Sequence, residues 1–316
     1  MLKVSAPADR AKIEYLISVV IPTYNYAHLL PRCLASVLGQ LDADMELVVV
    51  DDGSQDATAE VLNEYCCRES RMVVVWQANA GAGAARNRGV GLARGRYILP
   101  LDADDELLPG ALSALRAVVQ AQPQVGLVLA GRVTQYADGR QREQMPTFDP
   151  QASVRQLACH YLLHKRISLV HGCSLFSRDV LLQRPYPQWM PHGEDIPVFA
   201  WALVSTSVTT LAQPVVRIYK HADSLRREFE VDEQLVYRRV EEVFAALPDN
   251  CQSLRRRYTA QVYLSLFRGA WRVRRDSDAQ KFFWQALLLS PVQALRWVYL
   301  RKAVRMWLHM GQRERV

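Results

Sequence analysis

Three aspartates fall within four positions at Asp102-Ala-Asp104-Asp105, directly behind the apolar run Tyr97-Ile-Leu-Pro-Leu101. Carboxylates this close repel one another and raise each other's pKa. A divalent cation removes that penalty. Hard oxygen ligands suit Mg2+ or Mn2+, which take one or two protein carboxylates and complete their shell with phosphate oxygens. A helix start after Pro109 also favours an acidic residue, but that accounts for one aspartate more easily than for three. A second acidic pair, in Asp51-Asp52-Gly53-Ser54, offers a carboxylate that can accept hydrogen bonds from a nucleobase edge or a ribose hydroxyl. Asp-Gly is equally an ordinary turn dipeptide. Between the two clusters runs Asn79-Ala-Gly-Ala-Gly-Ala-Ala-Arg86-Asn87-Arg-Gly89. Its glycines are wrongly spaced for G-x-G-x-x-G, and no Gly-Lys-Ser/Thr follows as a P-loop would need. What remains is a small-residue helix that can pack close to a sheet and present Arg86, whose guanidinium can reach diphosphate or base oxygens.

These clusters need elements to position them, and the flanking sequence supplies these. Ile17–Ile21, Glu46–Val50, Met72–Trp76 and Tyr97–Leu101 are short apolar runs of the kind that form strands buried on both faces. Helical patterns separate them: Leu30, Leu34, Val37 and Leu38 share a face, Asp56 or Thr58 can cap a helix reaching about Arg68, and a third helix covers Gly83–Ala93. Strands interleaved with helices of 10–15 residues imply βαβ units and a mostly parallel sheet, whose ligands sit at the carboxyl ends of the strands. The polar clusters lie at those ends. Further on, the pattern predicts strands at Val125–Val133, near Leu169–Ser177 and at Val208–Tyr219, with helices at Ser153–His164 and Ile196–Val204. From about Asp232 it is almost wholly helical, broken near Pro248-Asp-Asn250 and Ser290-Pro291.

The 316 residues are 50% hydrophobic and 22% charged, enough to bury a core and inconsistent with a disordered chain. No run of about 18 apolar residues predicts a membrane span. The first 16 residues lack a secretory pattern. Six cysteines without paired metal spacing are read as free thiols in a reducing cytoplasm rather than a disulfide scaffold. His160 and His164 are spaced like zinc ligands on a helix, but Tyr161 stands where a metalloprotease needs Glu. His171-Gly-Cys-Ser174 holds nucleophile types without triad logic and is read as a strand and its turn. The charge is uneven: from Arg217 onward there are 20 Lys and Arg against 11 Asp and Glu, and upstream 19 against 21. Near the end, Arg296, Arg301, Lys302 and Arg305 alternate with Leu295, Trp297, Val298, Leu300, Met306 and Trp307. That mix suits an amphipathic helix on an anionic bilayer, or a packed helical appendage with a solvated basic face. No nucleic-acid-binding motif accompanies the charge, so no nucleic-acid partner is expected.

The series Ser18-Val-Val-Ile-Pro-Thr-Tyr-Asn25, Val49-Val-Asp-Asp-Gly-Ser54, Asn79-x-Gly81 with Ala85-Arg-Asn-x-Gly89, and Leu101-Asp-Ala-Asp-Asp105 closely resembles the family 2 glycosyltransferases, inverting enzymes of the GT-A fold that use nucleotide sugars. The likeness is strong over residues 17–121 and looser to Ser224. It implies that Pro22, Thr23, Tyr24, Asp52, Asn79 and Arg86 hold the donor's nucleoside, usually uridine. Asp102 would then sit near the ribose, and Asp104 would ligate a Mg2+ or Mn2+ ion bridging the diphosphate. His192-Gly-Glu194-Asp195 looks like the family's Glu-Asp motif, in which a carboxylate is the general base. Asp195 is the first candidate and Glu194 the second, although Gly-Glu-Asp ahead of an apolar run is also a plain helix cap. Arg217-Ile-Tyr219-Lys-His221-Ala-Asp-Ser224 is similar to the segment after the last core strand, whose His can touch the metal or diphosphate. Leu225 departs from the polar residue usual there.

The resemblance implies an α/β fold with a GT-A-like, mostly parallel sheet flanked by helices and a helical C-terminal region. In domain terms it implies an N-terminal tail (1–16), a glycosyltransferase domain (17–225) with a nucleotide-sugar-binding half (17–121) and an acceptor half (122–225), and a basic helical region (226–316). The activity implied is hexosyl or N-acetylhexosaminyl transfer, with inversion, to a hydroxyl of a glycan or lipid-linked saccharide. The setting would be the cytoplasm, peripheral at the membrane's inner face. Two rivals stay open: a sugar-nucleotide nucleotidyltransferase, disfavoured because Pro22-Thr-Tyr-Asn25 lacks a Gly-rich loop, and a non-catalytic nucleotide-sugar-binding protein of the same fold.

Overall fold

The computed structural model describes residues 4–5, 15–220 and 233–313. In chain order the strands are β1 (Val4–Ser5), β2 (Ile17–Thr23), β3 (Met45–Asp51), β4 (Met72–Trp76), β5 (Tyr97–Pro100), β6 (Glu106–Leu107), β7 (Leu127–Tyr136), β8 (Gln141–Gln144), β9 (Ser174–Ser177) and β10 (Val208–Lys220). The helices are α1 (Leu30–Leu38), α2 (Thr58–Cys66), α3 (Ala82–Leu92), α4 (Ala111–Ala121), α5 (Val154–Leu162), α6 (Arg178–Gln183), α7 (Asp195–Ser205), α8 (Glu233–Ala245), α9 (Arg255–Arg272), α10 (Asp276–Leu289), α11 (Pro291–Ala294) and α12 (Trp297–Arg313). The chain divides into two compact units, Met1–Ala152 with Arg166–Ala222, and Ser153–Lys165 with Asp223–Val316.

The first unit is built on one sheet with strand order β1-β4-β3-β2-β5-β9-β7-β10-β6, with β8 added alongside β7. The β4-β3-β2-β5 half is parallel, as the sequence predicts. Every residue of β2 and β3 is buried, which is why these strands read as unbroken apolar runs. Beyond β5 the sheet becomes mixed. β9 is antiparallel to both β5 and β7, β10 runs parallel to β7, and β6 is antiparallel to β10. Helix α1 buries Leu30, Cys33, Leu34 and Val37 against the sheet, the face its spacing predicts. A buried tie fixes the amino-terminal ends of the strands: Glu46 Oε1 accepts from Ser18 Oγ at 2.7 Å and from Arg94 N at 2.6 Å.

Two details carry the sheet's approach to the site. Pro214 in β10 coincides with a shift of the β7–β10 register, where a proline costs no ladder bond. On the other flank, a Cβ placed on Gly89 of α3 would lie 2.4 Å from Val20 Cγ1. Only a glycine there lets the helix lie this close to β2.

The second unit is helical. Ser153 opens α5 with a capping box, its Oγ accepting from Gln156 N while Gln156 Oε1 accepts from Ser153 N at 2.8 Å. Buried Phe244, Tyr258, Phe267, Phe282, Phe283 and Met306 form its interior. All six cysteines of the chain are free, and among the described residues no helix is long and apolar enough to cross a membrane.

Candidate active site

The loops leaving β2, β3 and β4 are joined by their own side chains. Asn25, with φ of 55°, donates its backbone N–H to Ser54 Oγ at 2.9 Å and accepts at Oδ1 from Gln55 N at 2.7 Å. Asp51 Oδ1 accepts from Ser54 N at 3.0 Å and closes the turn that Asp-Gly suggests. Asp52 is turned to the neighbouring loop. Its Oδ1 accepts from Gln77 Nε2 at 2.8 Å and Ala80 N at 2.9 Å, and its Oδ2 from Gly81 N at 2.8 Å. Asp52 therefore holds the Asn79–Gly81 segment in place, which leaves one lone-pair direction for a ligand. Pro22 and Thr23 are buried at the end of β2, whereas Tyr24 and Asn79 are exposed.

Helix α3 sends Arg86 into the centre of the site. Its Nη1 meets Glu194 Oε1 at 2.6 Å, and its Nη2 meets Asp102 Oδ1 at 2.7 Å. Burial opposes the charge on Arg86, but Asp102 and Glu194 more than offset it and its pKa rises. The guanidinium that the sequence offers to diphosphate oxygens is thus engaged by two carboxylates. His171, at the turn before β9, places Nδ1 3.3 Å from the same Asp102 oxygen. Its ring lies against Phe199 of α7 and Tyr186, with centroids 5.2 Å and 5.8 Å away. Burial works against the Asp102 carboxylate, yet His171 and Arg86 hold it well below the usual carboxylate range.

The three clustered aspartates part company. Asp102 faces Arg86 and His171. Asp105 is buried and accepts from Tyr219 N at 3.2 Å; burial, then Asp102 and Asp104, push its carboxyl well above the usual range. Asp104 is half-buried, its carbonyl accepting from Arg32 Nη2 at 2.7 Å. Arg86 and His171 therefore face Asp102, Asp105 faces Tyr219 and Asp104 is held at its carbonyl by Arg32, so the three carboxylates have separate surroundings. Among the described residues no three acidic, His or Cys side chains are grouped to hold a metal ion. The donor set fits Mg2+ or Mn2+ as a one-carboxylate site at Asp104 completed by phosphate and water oxygens, a manner of binding usual for these ions. His221 lies outside the described residues.

Glu194 and Asp195 open α7, as the sequence predicts. Their environments differ. Glu194 is tied to Arg86, whereas burial lifts the Asp195 carboxyl above the usual range against the pull of His171 and Arg86, with Glu194 and Asp102 adding to the rise. His171 is the site residue that sequence reasoning passed over. Its only local signal is the following Gly172, with φ of +80° and a Cβ position 2.7 Å from Val216 Cγ2. Around Tyr186, three buried polar atoms, Arg86 Nε, His171 Nε2 and Tyr186 OH, make no hydrogen bond among the described residues, as is also true of eight others elsewhere.

The glycosyl transferase family 2 model matches residues 18–184, more than half of the chain. The chain belongs to glycosyl transferase family 2. It is similar to the uncharacterized glycosyltransferase EpsJ of Bacillus subtilis, 35% identical over 125 residues, which is 40% of this chain and 36% of EpsJ. The match thus spans about a third of that relative's length. In structure it is similar to S. aureus TarS 1–349 in complex with UDP, with a TM-score of 0.63, 17% identity, and 92% of this chain and 89% of that one covered. It is also similar to the mannosyltransferase PcManGT of Pyrobaculum calidifontis in complex with GDP-Man and Mn2+, with a TM-score of 0.54 and 16% identity over 93% of this chain and 85% of that one. The expected GT-A-like α/β fold is present. Glu194 and Asp195 lie beyond the span that the family model matches.

Proposed function

We propose that this family 2 chain transfers a sugar from a UDP-linked donor to a hydroxyl of a glycan or lipid-linked saccharide, with inversion at the anomeric carbon. One observation carries the reading: Arg86, Asp102, His171 and Glu194, from four separate segments, meet beside Asp195 at the carboxyl ends of the strands, within a family 2 fold. The nucleoside is assigned to Pro22, Thr23, Tyr24, Asp52 and Asn79, with Asp102 nearest the ribose. The UDP complex of TarS supports a uridine donor, and the Mn2+ in the mannosyltransferase complex supports a divalent ion. Asp104 would hold Mg2+ or Mn2+, which when bound neutralises charge on the departing diphosphate.

The acceptor oxygen attacks the anomeric carbon from the face opposite the diphosphate. As the new C–O bond forms, the bond to the phosphate oxygen breaks and the diphosphate leaves with its electron pair. The acceptor proton goes to the Asp195 carboxylate. Asp195 is preferred to Glu194 because the Glu194 carboxylate is occupied by its ion pair with Arg86, whereas burial raises the Asp195 carboxyl and so strengthens it as a base. Glu194 and Asp102 hold Arg86 in place, and Arg86 in turn orients both carboxylates.

Calorimetric titration with UDP, GDP, dTDP and ADP, each with and without Mn2+, tests the donor site on the wild type and Asp104→Ala. Metal-dependent binding of UDP that the variant loses supports the reading. Absence of binding by all four would overturn the donor assignment. Asp195→Asn should keep UDP binding and lose turnover; a variant that turns over normally would remove Asp195 as the base.

A further inference from the structure

The basic helical region carries a surface that the transfer reaction does not use. Between Asp278 and Glu314 the sequence has six Lys or Arg and no acidic residue. The same stretch exposes large apolar side chains that a packed helical appendage would cover. Leu288 is 70% exposed, Val292 84% and Trp297 71%, with Trp284, Leu295 and Val298 each about half exposed. They follow one another from α10 through α11 into α12, and the Trp284 and Trp307 rings, 6.0 Å apart, join the two longer helices at the other end.

Helix α12 is divided lengthwise. Tyr299, Ala303 and Met306 are buried. The exposed Trp297 and Val304 and the half-buried Leu300 and Trp307 recur at i, i+7, i+3 and i+10 along one stripe, and the exposed Arg301 and Arg305 form an adjoining one. Lys302 stands at the cationic edge, its Nζ 4.0 Å from the Trp271 ring centroid. Positive charge is dense enough there to be felt: the Lys302 pKa is lowered by burial and then by Arg301, Arg268, Arg272 and Arg305.

We propose that the apolar stripe and arginine edge formed by α10, α11 and α12 dock on an anionic lipid bilayer. Tryptophan and aliphatic side chains enter the boundary between headgroups and acyl chains while the arginines meet lipid phosphates. Charge decides against the other occupants. A second copy bound about a two-fold axis would set arginines against arginines, and the acidic residues of these helices, Asp276 and Asp278, lie in the first turn of α10, where Asp278 is already paired with Arg275. A nucleic acid would satisfy the arginines but leave the Trp and aliphatic stripe in water.

The test is co-sedimentation of the full chain with vesicles of phosphatidylcholine alone and with vesicles in which about a third of the lipid is phosphatidylglycerol. Binding should need the anionic lipid and weaken with salt. Arg301→Gln with Arg305→Gln should weaken it about thirtyfold, on the scale of one contact per basic residue, and Trp297→Ser should weaken it independently. Circular dichroism melting and UDP binding, unchanged in these variants, show that the fold is kept. Absence of binding to phosphatidylglycerol vesicles at low salt, or equal binding by wild type and both variants, overturns the proposal. So does a dimer that Trp297→Ser dissolves without any vesicle binding, or capture of duplex DNA or RNA in place of vesicles.

Discussion

Arg86 holds together two carboxylates that the chain supplies from two separate later segments, Asp102 from 16 residues onward and Glu194 from 108. Removing one partner of a buried ion pair leaves uncompensated charge and costs about 3–5 kcal/mol. Because Asp102 is partly hydrated, Arg86→Met should lose about 3 kcal/mol, at the lower end of that range, read as a fall in the urea midpoint at unchanged slope. An unchanged midpoint would mean the pairs contribute nothing net. Asp195 gives a prediction in pH. It is faced by His171 from the turn before β9, Arg86 from α3, Asp102 from the end of β5, and its neighbours Glu194 and Tyr186. A base must be unprotonated, and burial raises this one, so kcat/KM should fall on the acid side at a pH above the usual carboxylate range, where a solvated aspartate would still be fully active. Asp195→Glu, moved out of that setting, should shift the limb downward along with its loss of rate. An acid limb in the ordinary carboxylate range would point to another base. The residue types at 86, 102, 194 and 195 were legible because Asp102 follows a strand, Glu194 and Asp195 open a helix, and Arg86 stands out among the small residues of α3. Their pairing was not, since no local pattern reports contacts over such separations. His171 was not legible as a site residue either, because a histidine before a strand carries no spacing signal.

At the level of elements, the parallel half of the sheet could be read residue by residue, because strands buried on both faces are written as apolar runs. The other half resisted for physical reasons. β6 has two residues, too few for any alternation, and β8 is Gln-Arg-Glu-Gln, largely exposed, so no apolar face betrays it. The antiparallel insertion of β9 between β5 and β7 is a matter of pairing between distant segments, which composition does not report. α3, by contrast, announces its task through its glycines. Gly89→Ala would put a methyl carbon 2.4 Å from Val20 Cγ1, and overpacking of this kind costs about 1–3 kcal/mol. The helix would be lifted from β2 and Arg86 with it, so a drop in UDP affinity should accompany the drop in melting temperature. Val20→Ala opens room at the point of collision and should restore part of both in the double variant. If the two substitutions are simply additive, the collision is not what makes glycine necessary. Gly53 answers to a second constraint, with φ of +80° and a Cβ position 2.9 Å from Asn79 N, so Gly53→Ala should disturb the loop that Asp52 holds.

Across the whole molecule, charge and ligand sites are separated along the chain. The residues before Arg217 carry 19 basic against 21 acidic side chains, and the excess of Lys and Arg lies after it. A nucleoside diphosphate is itself anionic, so the proposed donor site, in a segment without net positive charge, would rely on local groups and on the cation proposed for Asp104, not on a long-range field. Such a ligand should act locally. The Thr23–Asn25, Asp51–Ser54 and Gln77–Gly81 loops are held by side-chain bonds between one another, and the Asp102–Asp105 loop by its bonds to Arg86 and Tyr219, polar ties of the kind that a ligand reinforces. Hydrogen exchange with and without UDP and Mn2+ should show slowed exchange in these four loops and at the start of α7. Helices α9, α10 and α12 should be unaffected, and should instead be protected by phosphatidylglycerol vesicles in the absence of nucleotide. Two disjoint maps would assign donor binding and lipid binding to different parts of one chain. Protection by UDP confined to the C-terminal helices would mean that the nucleotide is drawn to the arginines there, and the cluster around Arg86 would lose its claim to the donor.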